Sequence, residues 1–325
     1  MQPPHQDIAP FQTEQINLPL IARAFYFEPL ALDISTALSV HAWLWPRITG
    51  KDPMPTHTAA GPNTNSIQRG GGMAHTRQQM AAPAMQSNGP FAPATMLDPN
   101  YFWTLDDKPN VAVIPINGMI CKGASGMQEM CMGAVNTDRV AFALKQAIAA
   151  KAIDTIVLDV NSPGGKVTGM QELAGLVKQA TDTRGKTVYA WVEQQCASAA
   201  ECIVCQADEI ALTPSASIGS IGTYLAFLDP SMAMQLQGYA LQFFGSGKHK
   251  GLGLPGKPLT QDDRAYLQSS VDKINAQFVA TVQAGPRKVA SEALTDAKMY
   301  NGTDAVTVGL ADGIMDDWDE FCSLL

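Results

Sequence analysis

Thr155-Ile-Val-Leu-Asp-Val160-Asn-Ser-Pro-Gly-Gly165 is the stretch whose reading decides the fold. Its first six residues form a short apolar run closed by turn residues, the pattern of a strand buried on both faces. Residues 169–180 read as the helix that follows, and Thr187-Val-Tyr-Ala-Trp-Val192 as the next strand. Upstream, Val111-Ala-Val-Ile-Pro-Ile116 is strand-like, and Asn136-Thr137-Asp138 can cap a helix carrying Phe142, Leu144 and Ile148. Downstream, Glu209-Ile-Ala-Leu212 reads as a strand, Ser231 to Gln237 as a helix and Ala240-Leu-Gln-Phe-Phe244 as a further strand. Thr260-Gln-Asp-Asp263 then opens a long helix with Leu267, Val271, Ile274, Phe278 and Val282 on one face. Alternation of this kind predicts an α/β fold built on crossover units.

Four regions follow from the composition. Residues 1–50 hold apolar, helix-forming sequence, and residues 51–105 are a linker rich in Pro, Gly, Thr, Gln, Met and Asn without a period of 2 or 3.6. Residues 106–317 carry the alternating pattern, and 318–325 read as an acidic tail, with Asp316-Asp317-Trp-Asp319-Glu320 at the junction.

The 325 residues are 16% charged and 46% hydrophobic, an ordinary globular balance, and the formal net charge is −8. That charge argues against nucleic acid as a partner, because a polyanion needs clustered Lys and Arg. No apolar run approaches the ~20 residues of a membrane span, and no basic-then-apolar leader is visible, so the expectation is a cytoplasmic protein without a membrane partner. Six cysteines read as free thiols. Cys202-x-x-Cys205 lacks the second pair or nearby His that a zinc site requires, so neither metal nor cofactor is expected.

Three places offer chemistry. Gly164 and Gly165 follow a strand's carboxyl end, where ligands bind in α/β sheets, and their amides can face a developing oxyanion. An ordinary Pro-Gly turn would read the same way. Ser198 stands where a strand should pass into a helix; the commonest job for serine there is a plain N-cap, and the sharper one is a nucleophile. A nucleophile needs a base. Of His5, His41, His57, His75 and His249, only the last falls in the α/β region, so a Ser-His-Asp triad would rest on His249. A Ser–Lys variant would use Gly245-Ser-Gly-Lys248-His249-Lys250, which otherwise reads as a solvated turn.

Taken together, these motifs resemble the serine peptidases of the signal-peptide-peptidase-A type, family S49, of the ClpP/crotonase fold group. The resemblance runs from about Val111 to Met315. It is carried by Asp159-x-Asn-Ser-Pro-Gly-Gly165, Cys-Ala-Ser198 with Ala207-Asp208 following, Gly219-Ser220-Ile-Gly222 and Ser246-Gly-Lys-His-Lys250. Ser198 precedes Ser220 by 22 residues and Lys250 by 52, in keeping with the family. Asn17-Leu-Pro-Leu-Ile-Ala-Arg-Ala-Phe-Tyr-Phe-Glu-Pro-Leu resembles the N-terminal segment of the phage prohead proteases.

The resemblance implies a ClpP/crotonase-like fold of repeated ββα/βαβ units. It implies Ser198 as nucleophile, Lys250 as general base and Ser220 orienting the lysine amine, with an oxyanion hole from the amides of Gly165 or Gly164 and of Ala199. The chain has Ala199-Ala200 where many relatives have glycine, and Lys248 lies close to Lys250, so the base rests on spacing. The implied function is endopeptidase processing of scaffold, portal or coat polypeptides in a phage prohead within a bacterial host. The implied assembly is a homo-oligomer with active sites at subunit interfaces. A soluble signal-peptide-peptidase-A-like protease of a bacterial cell, a catalytically silent scaffolding protein and a crotonase-type acyl-CoA enzyme are the alternatives. For the dyad to work, a lysine with an ordinary pKa of ~10.4 must become partly neutral, a shift of roughly 2–4 units that desolvation can supply.

Overall fold

The computed structural model describes residues 30–32, 102–126, 128–129 and 133–325. Most of regions 1–50 and 51–105 therefore lies outside the described residues, as does Cys131.

Two sheets share the work. The larger has eight strands, and its main path runs β11(Met299–Asn301)–β10(Ser217–Gly219)–β8(Thr187–Ala197)–β6(Thr155–Ser162)–β3(Val111–Asn117)–β2(Trp103–Thr104). β9(Glu209–Leu212) pairs with the first half of β8, and β12(Gly313–Ile314) pairs with β9. β3, β6, β8 and β10 are parallel, while β2 and β11 close the edges antiparallel. The smaller sheet has the order β1(Leu30–Leu32)–β7(Gly164–Lys166)–β4(Met119–Cys121)–β5(Ala134–Asn136).

The decisive stretch supplies a strand to each sheet. β6 ends at Ser162, Pro163 breaks the run, and β7 begins at Gly164. Along β6, Ile156, Leu158 and Val160 face one core with Ile114, Ile116 and Leu144, whereas Val157 faces a second core with Val113 and Trp191. Both faces are thus buried, which is why the run is continuously apolar rather than alternating.

Helices α1(Thr137–Ala149), α2(Met170–Arg184) and α3(Ala199–Val204) cover the first face. The Asn136 side chain caps α1 by accepting from the Asp138 N–H. α2 runs past the predicted 180 to Arg184, where Gly185 stops it in the left-handed region at φ 61°. α4(Ser231–Leu236) follows the expected 231–237 closely. α5(Gln261–Gln283) opens on a capping box: the Thr260 side chain accepts from the Asp263 N–H and the Asp263 carboxylate accepts from the Thr260 N–H. α6(Gly302–Thr307) and α7(Trp318–Cys322) complete the described helices.

Three expectations are corrected. Residues 240–244 form no strand: Leu241, Phe243 and Phe244 are exposed, and no neighbouring strand of the described residues pairs with them. The apolar stripe of α5 is buried only at Phe278 and Val282, because the core reaches only the last turns of that helix. The acidic C-terminal stretch is not wholly solvated. Phe321 is buried in α7 and stacks on Trp191 at 5.0 Å, and Trp318 meets the same indole edge-on, so its aromatics roof the second core while the acids face water.

Candidate active site

The sequence sends β8 through the middle of the large sheet because Val188, Ala190, Val192, Cys196 and Ala197 are all buried. The strand stops at Ser198, whose φ of 55° and ψ of −112° no serine adopts without cost, of order 1–3 kcal/mol. α3 starts at the next residue, with all six of its residues buried. Ser198 makes no side-chain cap bond to that helix. Its Oγ donates to the Gly222 carbonyl at 3.3 Å instead, and its N–H donates to the Gly219 carbonyl at 2.7 Å. The serine therefore does not act as an N-cap. It sits at a strained strand-to-helix elbow, and in this arrangement it is fully buried.

β10 brings Ser220 alongside. Ala197 pairs with Gly219, so the two serines leave adjacent parallel strands at equivalent points. Ser220 also has a positive φ, 54°, and its N–H donates to the Lys298 carbonyl at 2.7 Å.

Gly164 and Gly165 belong to β7, which packs against α3 and so lies over the helix that Ser198 begins. Gly165 pairs with Ile120, and a Cβ there would come within 2.0 Å of the Ile120 carbonyl oxygen; no other residue fits. Gly164, at φ 95°, donates its N–H to Ser162 Oγ at 3.2 Å, and that hydroxyl donates to the Gly118 carbonyl at 2.6 Å. The Gly164 amide is thereby spent within the turn. Ala199, wholly buried, is the first residue of α3, where backbone amides lack carbonyl partners in their own helix.

Lys250 is not brought to this group. It stands on an exposed excursion between β10 and α5, its N–H donating to Gly247 and its carbonyl accepting from Lys257 Nζ at 2.9 Å. Lys248 pairs with Asp262 at 2.8 Å. Large apolar side chains of the same excursion are also exposed, among them Met232, Leu236, Tyr239 and Phe244.

Sequence reading missed two contributors. Ser162 lay inside the quoted motif, but its role as a brace under Gly164 needs the turn's geometry. Glu201, on α3 one turn after Ser198, is fully buried; burial pushes its carboxyl up to about 8, against a smaller opposing pull from Arg287. One of the two Glu201 carboxyl oxygens, Oε2, has no hydrogen-bond partner. A lone acid in Ala-Ala-Glu-Cys-Ile-Val was the available signal. Cys202 and Cys205 are buried, and burial raises both thiols, Cys205 to about 12, which keeps them protonated and inert.

A parallel strand thus ends in a strained, buried serine at the start of a buried helix. Residues 180–322 match the model of peptidase family S49, so the family resemblance read from the motifs is shown over that stretch. Over 210 residues the chain is 30% identical to capsid assembly protease C of Escherichia phage lambda, covering 64% of this chain and 47% of that one. It is 26% identical over 211 residues to head-tail preconnector protein GP5 of Enterobacteria phage P21, covering 64% of this chain and 41% of that one. The chain thus spans less than half the length of either relative. Among solved structures it is similar to a ClpP1 mutant from Listeria monocytogenes at 13% identity and a TM-score of 0.38, covering 64% of this chain and 93% of that one. Among the described residues, no helix is long and apolar enough to cross a membrane.

Proposed function

We propose that this chain is a serine endopeptidase that processes scaffold, portal or coat polypeptides in a phage prohead. Ser198 is the nucleophile and Lys250 the general base; Ser220 orients the amine. The oxyanion is held by the amides of Gly165 and Ala199, with Gly164 bracing the turn. The observation that carries this reading is Ser198 itself: a strained, non-capping serine between a parallel strand and the first amide of a buried helix. Strain of that kind persists where the surroundings hold it for use.

In the reaction, Lys250 takes the proton from Ser198 Oγ as the hydroxyl attacks the scissile carbonyl, and the negative charge that develops on the carbonyl oxygen falls to the two amides. The ammonium then protonates the leaving amine. Water, deprotonated by the same lysine, releases the acyl group from Ser198.

Because Lys250 is exposed on an excursion rich in uncovered apolar side chains, the dyad closes when a second copy packs against that excursion. Packing would desolvate the amine and present it to the neighbouring copy's serine. The phage setting draws on the likeness to the lambda capsid assembly protease. The test is co-expression with the scaffold and coat polypeptides of the same phage. The native chain should cut them and Ser198→Ala should not; partners left whole in both would sink the assignment.

A further inference from the structure

Outside the serine elbow, one cluster is built more tightly than an exposed excursion requires. His249 Nδ1 lies 3.0 Å from Asp263 Oδ1. Asp263 is buried, and its other oxygen accepts from Thr260 Oγ1 at 2.7 Å and from the Thr260 N–H at 3.2 Å. The carboxylate is thus fixed by the capping box of α5 before it meets the imidazole. Tyr266, one turn further along α5, stacks on the His249 ring at 4.5 Å between centroids and 14° between planes. Edge and face of the ring are both held.

The neighbours of His249 are tied down in the same place. Lys248 pairs with Asp262, and the Lys250 carbonyl accepts from Lys257 Nζ. The Lys250 side chain, by contrast, enters no hydrogen bond or ion pair with the described residues. The backbone that carries it is fastened to the first turns of α5, and the amine is left for something else.

We propose that His249 and Asp263 are positioning residues that latch the Lys250 turn onto the start of α5, presenting the lysine amine in a fixed direction. This rests on the Ser198–Lys250 reading given above. The ionised Asp263 accepts from His249 Nδ1–H, which fixes the imidazole tautomer and leaves Nε2 as an acceptor. The same carboxylate–imidazole arrangement occurs where histidine is itself a base. The two roles make opposite demands on the ring. A latch needs only a donor at the Nδ1 position, whereas a base needs Nε2.

Asparagine and glutamine separate them, because the asparagine amide nitrogen falls near the place of Nδ1 and the glutamine amide nitrogen near that of Nε2. The measurement is steady-state cleavage of fluorescein-labelled casein by the full-length assembled protein, with the rate of Ser198 labelling by a fluorophosphonate as a second readout. His249→Ala and His249→Gln should lower kcat by about tenfold or more with KM within about twofold, the size of loss expected when a catalytic group is misplaced by about 1 Å. His249→Asn should recover to within about threefold of the native kcat, since it restores the donor. Asp263→Asn should also stay within about threefold, because its amide can donate to Nδ1 of the other tautomer.

Thermal unfolding midpoints check that each variant is folded. If His249→Asn is as inactive as His249→Ala while folded, or His249→Ala cleaves at the native rate, the latch is wrong. Lys250→Ala is the independent arm. Its complete loss of cleavage keeps the dyad whatever the histidine variants do, and native cleavage by Lys250→Ala removes the dyad and the latch together.

Discussion

Ser198 and Ser220 leave adjacent parallel strands one step beyond the Ala197–Gly219 pair, and both do so with φ near +55°. Two L-residues in the left-handed region side by side are a concentrated store of strain. It is held in place by two short backbone bonds, Ser198 N–H to Gly219 and Ser220 N–H to Lys298, each 2.7 Å.

Glycine at position 198 relieves the strain and removes the proposed nucleophile. Ser198→Gly should be more stable than Ser198→Ala by about 1 kcal/mol, because only glycine accepts this backbone freely. Both should be blind to a fluorophosphonate. Differential scanning calorimetry of the pair decides it: equal midpoints would mean that the elbow carries no strain.

Gly165 has no room for a side chain. Gly165→Ala drives a methyl into the Ile120 carbonyl, so β7 must part from β4, at a cost of about 3 kcal/mol or more. Gly175, inside α2, has open space around its Cβ position, so Gly175→Ala should stabilise by roughly 0.5–1 kcal/mol. Urea midpoints of the two variants should move in opposite directions.

Glu201 makes stability depend on pH. Its carboxyl is raised from 4.5 to about 8, so between those values the folded chain keeps a proton that the unfolded chain releases. Stability from this group is full below pH 4.5 and declines as the pH rises to about 8, by a few kcal/mol in all. Glu201→Gln cannot ionise. Its melting temperature should exceed the native one increasingly from pH 5 to 8, and parallel curves for the two proteins would show that the carboxyl is ionised throughout.

The edge of β7 that faces away from β4 is occupied by Leu30–Leu32, antiparallel, with Ala31 opposite Gly165. An extended polypeptide adding to β7 must displace that strand. Ala31→Pro weakens the pairing by removing a backbone N–H. It should raise the initial rate of casein cleavage, and a lowered rate in a fully folded variant would mark the strand as part of the working site.

Phe244 is 91% exposed in the Lys250 excursion. Phe244→Asp should shift the sedimenting species toward single chains and reduce cleavage in proportion. An unchanged sedimentation profile together with native cleavage would remove this face from the proposed subunit contact.

How much of this was legible in advance differs from one element to the next. The strand–turn from Thr155 to Gly165 was readable because a doubly buried strand leaves an unbroken apolar run and a glycine pair ends it. The start of α5 was readable because Thr260 and Asp263 complete a capping box within four residues. Residues 240–244 misled, since an apolar run looks the same whether a strand, a core or another subunit is to cover it. The C-terminal acids misled for the converse reason: Phe321 and Trp318 stand among them and pack on Trp191, more than a hundred residues away in the chain.

Local sequence by itself marked the strand-turn from Thr155 to Gly165 and the starts of α1 and α5, for those features depend on side chains within a few residues of one another. Whether Ser198 caps its helix was beyond it. That rests on a positive φ held by the Gly219 carbonyl of the neighbouring strand, and only the assembled sheet exerts that constraint. The place of Lys250 was likewise decided in three dimensions. Its turn is pinned to the start of α5 by Asp263 through His249, and Lys250 itself stands exposed.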